Sequence, residues 1–86
     1  MRSIKFDAVA FQDYQEWIRT NPKIALRIDN LLHDILRDPF SGIGKPEALK
    51  HNWQGYWARR ITEEHRLVYK VTPDTIIIAT CKYHYA

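Results

Sequence analysis

Three residues of this 86-residue chain, Glu47, Arg66 and His84, have the types needed for acid–base work on a phosphodiester. A carboxylate can take the proton from a ribose 2′-OH, whose oxygen then attacks the adjacent phosphorus, while a second titrating group protonates the departing 5′-oxygen. A histidine titrates close enough to neutrality for that second role. An arginine can stabilise the charge that builds on the phosphorane. Such a set works without metal or cofactor. Tyr85, beside His84, can orient or stack on a base. Each residue also has an ordinary reading. Glu47 can be a solvated loop acid, Arg66 a partner of Glu63 or Glu64 across a turn, and His84 simply a residue of the chain end. Lys45, Lys50, Arg59, Arg60 and Lys82 can be surface cations. Trp53 and Trp57 read as packing residues before base platforms, and Cys81 as a small buried apolar residue. Residue types alone leave catalysis and these readings open.

Composition narrows the class. At this length one domain, residues 1–86, is the default. A chain this short buries roughly 60–65% of its unfolded surface, so its stability margin is thin. The hydrophobic fraction of 45% is that of a globular protein. Net charge is +3 and the sequence pI is about 9.2, a modest basic excess that suits a phosphate-rich or acidic partner without requiring one. With one cysteine, Cys81, no intrachain disulfide forms, which fits a reducing, cytoplasmic location. The start, Met1-Arg2-Ser3-Ile4-Lys5, lacks the apolar core of a signal peptide. The apolar run Ile76-Ile77-Ile78-Ala79 is far too short to span a bilayer, and no Cys/His spacing resembles a zinc site.

The elements that must position these residues follow from periodicity. Ile4 and Phe6 alternate with Ser3 and Lys5 and predict a short strand. Asp7 can cap a helix over residues 8–19, with Phe11, Tyr14, Trp17 and Ile18 on its apolar side. Asn21-Pro22 opens a second helix, whose Ile24, Ile28, Leu31, Leu32, Ile35 and Leu36 form one stripe. Asp38-Pro39 ends it. So short a link between the helices implies an antiparallel hairpin. Residues 39–55 read as a loop with a helical turn at Glu47-Ala48-Leu49-Lys50. Three strands, 56–62, 66–72 and 75–83, with short links predict an antiparallel meander. Alternation places Leu67, Tyr69 and Val71 on one face and Arg66, Val68 and Lys70 on the other. In the last strand it groups Ile76, Ile78, Thr80, Lys82 and His84 against Ile77, Ala79, Cys81 and Tyr83. Arg66, Lys82 and His84 are therefore expected together, on the sheet face away from the helices.

The motifs support a more specific statement. Pro39-Phe40, Gly42, Gly44-Lys45-Pro46-Glu47, Leu49-Lys50-His51-Asn52, Gly55-Tyr56-Trp57, Arg59 through Tyr69 and Tyr83-His84-Tyr85 closely resemble the YoeB (Txe/YoeB) toxins of the RelE superfamily, over nearly the whole chain. The resemblance implies an α+β, microbial-ribonuclease-like fold. It implies the toxin of a type II toxin–antitoxin system, which cuts mRNA in the ribosomal A site and stops translation. Glu47 falls on the family's general base, His84 on its general acid, Arg66 on the phosphate-stabilising arginine and Tyr85 on the terminal tyrosine. Lys50 and Arg60 fall on basic positions near the substrate backbone, and Arg59 and Lys82 are expected to join them in binding RNA. The implied partners are a cognate YefM-like antitoxin, the 70S ribosome with its mRNA, and a second copy of the chain. No membrane is implied. This chain differs from the family pattern in carrying Ala86 after the tyrosine, and in Trp53 and Gln54. Two other outcomes are a gyrase inhibitor on the same scaffold, as in the ParE toxins, and a degenerate toxin that only binds antitoxin. Neither would need all four site residues.

Overall fold

The computed structural model describes residues 1–83. Strand β1 (Ser3–Phe6) leads into helices α1 (Ala8–Thr20) and α2 (Pro22–Arg37). A short strand β2 (Glu47–Ala48) and a 3₁₀ turn (His51–Trp53) follow, then β3 (Tyr56–Arg60), β4 (Arg66–Val71) and β5 (Thr75–Thr80). The strands form one sheet in the order β1-β5-β4-β3-β2. The meander β3-β4-β5 is antiparallel as expected, and β2 adds to β3 in the same sense. β1 lies parallel to β5, with Ser3 opposite Thr75 and Phe6 opposite Ile78. A parallel neighbour needs a long connection, and the chain between β1 and β5 supplies one.

The helix boundaries follow local chemistry. Asn21 joins the helices as a single non-helical residue. Its N–H donates to the Trp17 carbonyl and closes α1, while its own carbonyl accepts from Ile24 and Ala25 and opens α2. Asp7 and Asn21 occupy the expected capping positions, yet neither side chain makes a capping bond. α2 stops at Asp38, held extended before Pro39. Ala25, Ile28, Leu31, Leu32 and Ile35 of α2 are buried. On α1, Trp17 is buried, whereas Phe11 and Ile18 stay half exposed.

The main core lies between the helices and one sheet face, where Ile28, Leu31 and Ile35 meet Leu67, Tyr69, Ile76 and Ile78. A smaller cluster of Leu49, Ala58 and Val68, flanked by Trp53, Tyr56 and Ala79, covers part of the other face. Residues 47–50 are therefore not the expected helical turn. Glu47 and Ala48 extend the sheet, and the Leu49 N–H continues the pairing to the Tyr56 carbonyl, which drives Leu49 into the small cluster.

The β4–β5 register shifts between Val68 and Tyr69, which pair with Thr80 and Ile78 and leave Ala79 as the extra residue of a bulge. A bulge reverses the alternation beyond it. Cys81 consequently joins Ile76 and Ile78 in the main core instead of opposing them. Burial pushes its thiol pKa up to about 12. The chain then leaves the sheet and crosses α1, where Lys82 pairs with Glu16 and lies over the Trp17 ring. The expected common face of Arg66 and Lys82 does not form.

Candidate active site

Strand pairing places Glu47 opposite Ala58, Ala58 opposite Val68, and Arg60 opposite Arg66. Arg59, between Ala58 and Arg60, points into the helix side, so the pleat turns its two neighbours to the other face. Residues opposite one another across strands share a face. Glu47, Arg60 and Arg66 thus stand on the sheet face away from the helices, around the Ala58–Val68 pair. Like charges directly opposite each other destabilise a sheet. The Arg60–Arg66 pair is accordingly a place where an anion is favoured. The Glu63 carboxylate, 3.9 Å from Arg60 Nη1, offsets only part of that repulsion at so exposed a site.

The turn before β4 sets the Arg66 fork. Thr62 Oγ1 accepts the N–H groups of Glu64 and His65, and the Ile61 and Thr62 N–H groups donate back to the His65 carbonyl. This folds three carbonyls toward Arg66 Nη1, from Thr62 at 2.7 Å, Glu63 at 3.0 Å and His65 at 3.1 Å. An arginine held by fixed carbonyls presents a preorganised cation, which is what a developing phosphorane requires. Beside Glu47 opens a cleft of about 360 Å³ lined by residues 47–53, among them Lys50 and His51. His51 adopts a φ of 56°, a left-handed backbone that non-glycine residues rarely hold away from functional or tightly constrained segments.

Residues 6–85 match the YoeB-like toxins of bacterial type II toxin–antitoxin systems. The chain belongs to this family. The toxin YoeB of Escherichia coli K12 is 55% identical over 76 residues, which cover 88% of this chain and 90% of that protein. The YoeB dimer from Staphylococcus aureus superposes with a TM-score of 0.92 at 48% identity, over 98% of both chains. The YoeB–YefM complex from the same species gives a TM-score of 0.90 at 49% identity, over 99% of both chains.

In this YoeB-like toxin Glu47, Arg60, Arg66 and Lys50 occur together on the sheet face or the adjoining cleft. His84 and Tyr85 lie outside the described residues. Two expected RNA-binding residues have other tasks. Arg59 is fully buried and cannot reach a ligand. Its Nη1 donates to Asp34 and the Ile43 carbonyl, its Nη2 to the Asp38 and Ser41 carbonyls, and its Nε to the Tyr69 hydroxyl. The guanidinium is therefore the centre around which the loop after α2 folds, and it holds the Asp34 carboxyl at a pKa of about 2. A Cβ at Gly42 would collide with that carboxylate, and Gly42 also has a φ of 130°, so glycine is required there. Lys82 is engaged with Glu16, whose carboxylate raises the lysine pKa. Sequence reasoning also passed over His65. It is buried, accepts a hydrogen bond from the Tyr83 N–H at 2.8 Å, and packs against the Trp17 ring. These contacts join residues 18 and 48 positions apart, and no local pattern announces them.

Proposed function

We propose that this protein is a ribosome-dependent mRNA endoribonuclease that cuts mRNA in the ribosomal A site. The observation that carries the reading is the shared sheet face of Glu47, Arg60 and Arg66, one carboxylate-bearing residue and a directly opposed pair of arginines. Glu47 takes the 2′-OH proton, the 2′-oxygen bonds to phosphorus, and the bond from phosphorus to the 5′-oxygen breaks as His84 protonates the leaving oxygen. Arg66 and Arg60 stabilise the equatorial oxygens of the phosphorane. Tyr85 orients the adjoining base, and Lys50 holds the backbone. The products are a 2′,3′-cyclic phosphate and a 5′-hydroxyl. The chain acts as one domain in the cytoplasm and forms a homodimer. A YefM-like antitoxin silences it, as the S. aureus YoeB–YefM complex suggests by relation. The modest basic charge suits both an acidic antitoxin segment and ribosomal RNA.

Primer extension on mRNA carried by stalled ribosomes tests this, with the cut ends characterised chemically. A discrete A-site cut with cyclic-phosphate ends, lost in His84→Ala, is the expected result. No cut by folded wild-type protein overturns the reading and directs attention to gyrase inhibition.

A further inference from the structure

We propose that His65 is a positioning residue for the cleavage reaction. Together with the Arg66 amide it clamps Tyr83, the residue that precedes His84 and Tyr85 in sequence. The inference rests on the ribonuclease reading above, because it concerns how His84 and Tyr85 are delivered.

Both backbone polar groups of Tyr83 are held by consecutive residues, His65 at the end of the turn and Arg66 at the start of β4. The Tyr83 N–H donates to His65 Nδ1 at 2.8 Å, and the Tyr83 carbonyl accepts from the Arg66 N–H at 3.1 Å. Since Nδ1 accepts, the proton of the neutral ring resides on Nε2, which faces the Glu64 carboxylate at 3.5 Å. The His65 side chain is only 9% exposed. It meets the Trp17 ring edge-on at 4.8 Å between centroids and the Tyr83 ring at 5.4 Å. Trp17 in turn donates from Nε1 to the Cys81 carbonyl at 2.9 Å. The chain is thus anchored at Cys81 and gripped again at Tyr83.

Tyr83 has a φ of 61°, a left-handed conformation that persists in a bulky residue only when its surroundings enforce it. The two clamp bonds supply that enforcement. One of the bonds comes from the backbone of Arg66 itself. The catalytic tail therefore starts from a point tied to the residue that stabilises the phosphorane. A misplacement of about 1 Å at reacting groups lowers a rate roughly a hundredfold, so loosening this clamp should slow the chemistry more than it weakens binding.

Two substitutions separate positioning from packing. In His65→Asn the amide oxygen sits where Nδ1 sits and still accepts from Tyr83. In His65→Gln the amide reaches the Nε2 position and leaves that N–H without an acceptor. Both lose the ring equally. Single-turnover cleavage on stalled ribosomes at saturating toxin should fall about a hundredfold in His65→Gln and within about tenfold of wild type in His65→Asn, with ribosome affinity nearly unchanged in both. Equal rates in the two variants, or a loss confined to ribosome affinity, would overturn the proposal. Nuclear magnetic resonance of the wild-type protein gives an independent reading. A scalar coupling between the Tyr83 amide nitrogen and His65 Nδ1 is expected, and its absence would overturn the clamp whether or not any variant folds. If the wild type shows the coupling yet cuts no mRNA, the ribonuclease reading fails, and the catalytic role of the clamp fails with it.

Discussion

Arg59 and Arg60 are neighbours in sequence and opposites in structure. Arg59 faces the helices, where Asp34, three loop carbonyls and the Tyr69 hydroxyl engage its donors in a closed, buried network. Arg60 faces the other way, directly across from Arg66, with the exposed Glu63 carboxylate 3.9 Å from its Nη1. One step of the pleat separates a cation that holds the fold together from a cation placed to meet an anion. The helix side of the sheet engages Arg59 in its own network, and in the proposed reaction the far side meets the substrate.

The comparison can be broken most severely at Glu47. Glu47→Gln keeps size and β2 pairing but removes the base, so cleavage should fall on the order of 10²–10⁴-fold. Arg66→Ala, which removes the cation fixed by the turn carbonyls, should lower single-turnover cleavage by about 10²–10³-fold. On the helix side, Arg59→Met removes the ion-pair partner of Asp34 and the donor to the Asp38, Ser41 and Ile43 carbonyls. Urea denaturation should register a loss of about 3–5 kcal/mol, the usual result of removing one partner from a buried ion pair. Arg60→Ala should change stability by less than about 0.5 kcal/mol in the same measurement. An equal loss at the two arginines would erase the contrast.

Asp34 gives the closed side a pH signature. Its pKa is depressed to about 2, chiefly by the Arg59 hydrogen bond, so its stabilising effect is complete above the unfolded value near 3.9. That effect declines as pH falls from about 4 toward 2, where the carboxylate becomes protonated in the folded state as well. Partial exposure limits the loss to on the order of 1 kcal/mol. Denaturation midpoints measured across this range should show it in the wild type and lack it in Asp34→Asn.

Much of this division was legible in sequence, for stated reasons. The stripe on α2 and the Asn21-Pro22 and Asp38-Pro39 boundaries are local signals, and the helices formed where those signals lay. Alternation along β4 correctly set Arg66 apart from Leu67 and Tyr69. The strand ends were drawn too long. Residues 61 and 62 turn back to His65, and the bulge near Ala79 ends regular pairing at Thr80. Because of that bulge, alternation wrongly grouped Ile76 and Ile78, which lie in the main core, with Lys82 on the face away from the helices, whereas Cys81 is buried as its sequence setting suggested. Glu47 was placed in a helical turn because a two-residue strand has no periodicity to read. Arg59 was misassigned because its partners, Asp34 and the loop carbonyls, belong to a distant segment. His65 was missed for the same reason, since Trp17 and Tyr83 meet it only through the tertiary fold.

In the proposed reaction Glu47, on the far face of the sheet, serves the chemistry and not the stability of the fold. The most direct test is Glu47→Gln, measured side by side for thermal unfolding and for single-turnover cleavage of mRNA on stalled ribosomes. An unfolding midpoint within a degree or two of wild type, together with a cleavage loss of at least about a hundredfold, is predicted. Cleavage near the wild-type rate in the folded variant would contradict the claim and remove Glu47 from the chemistry.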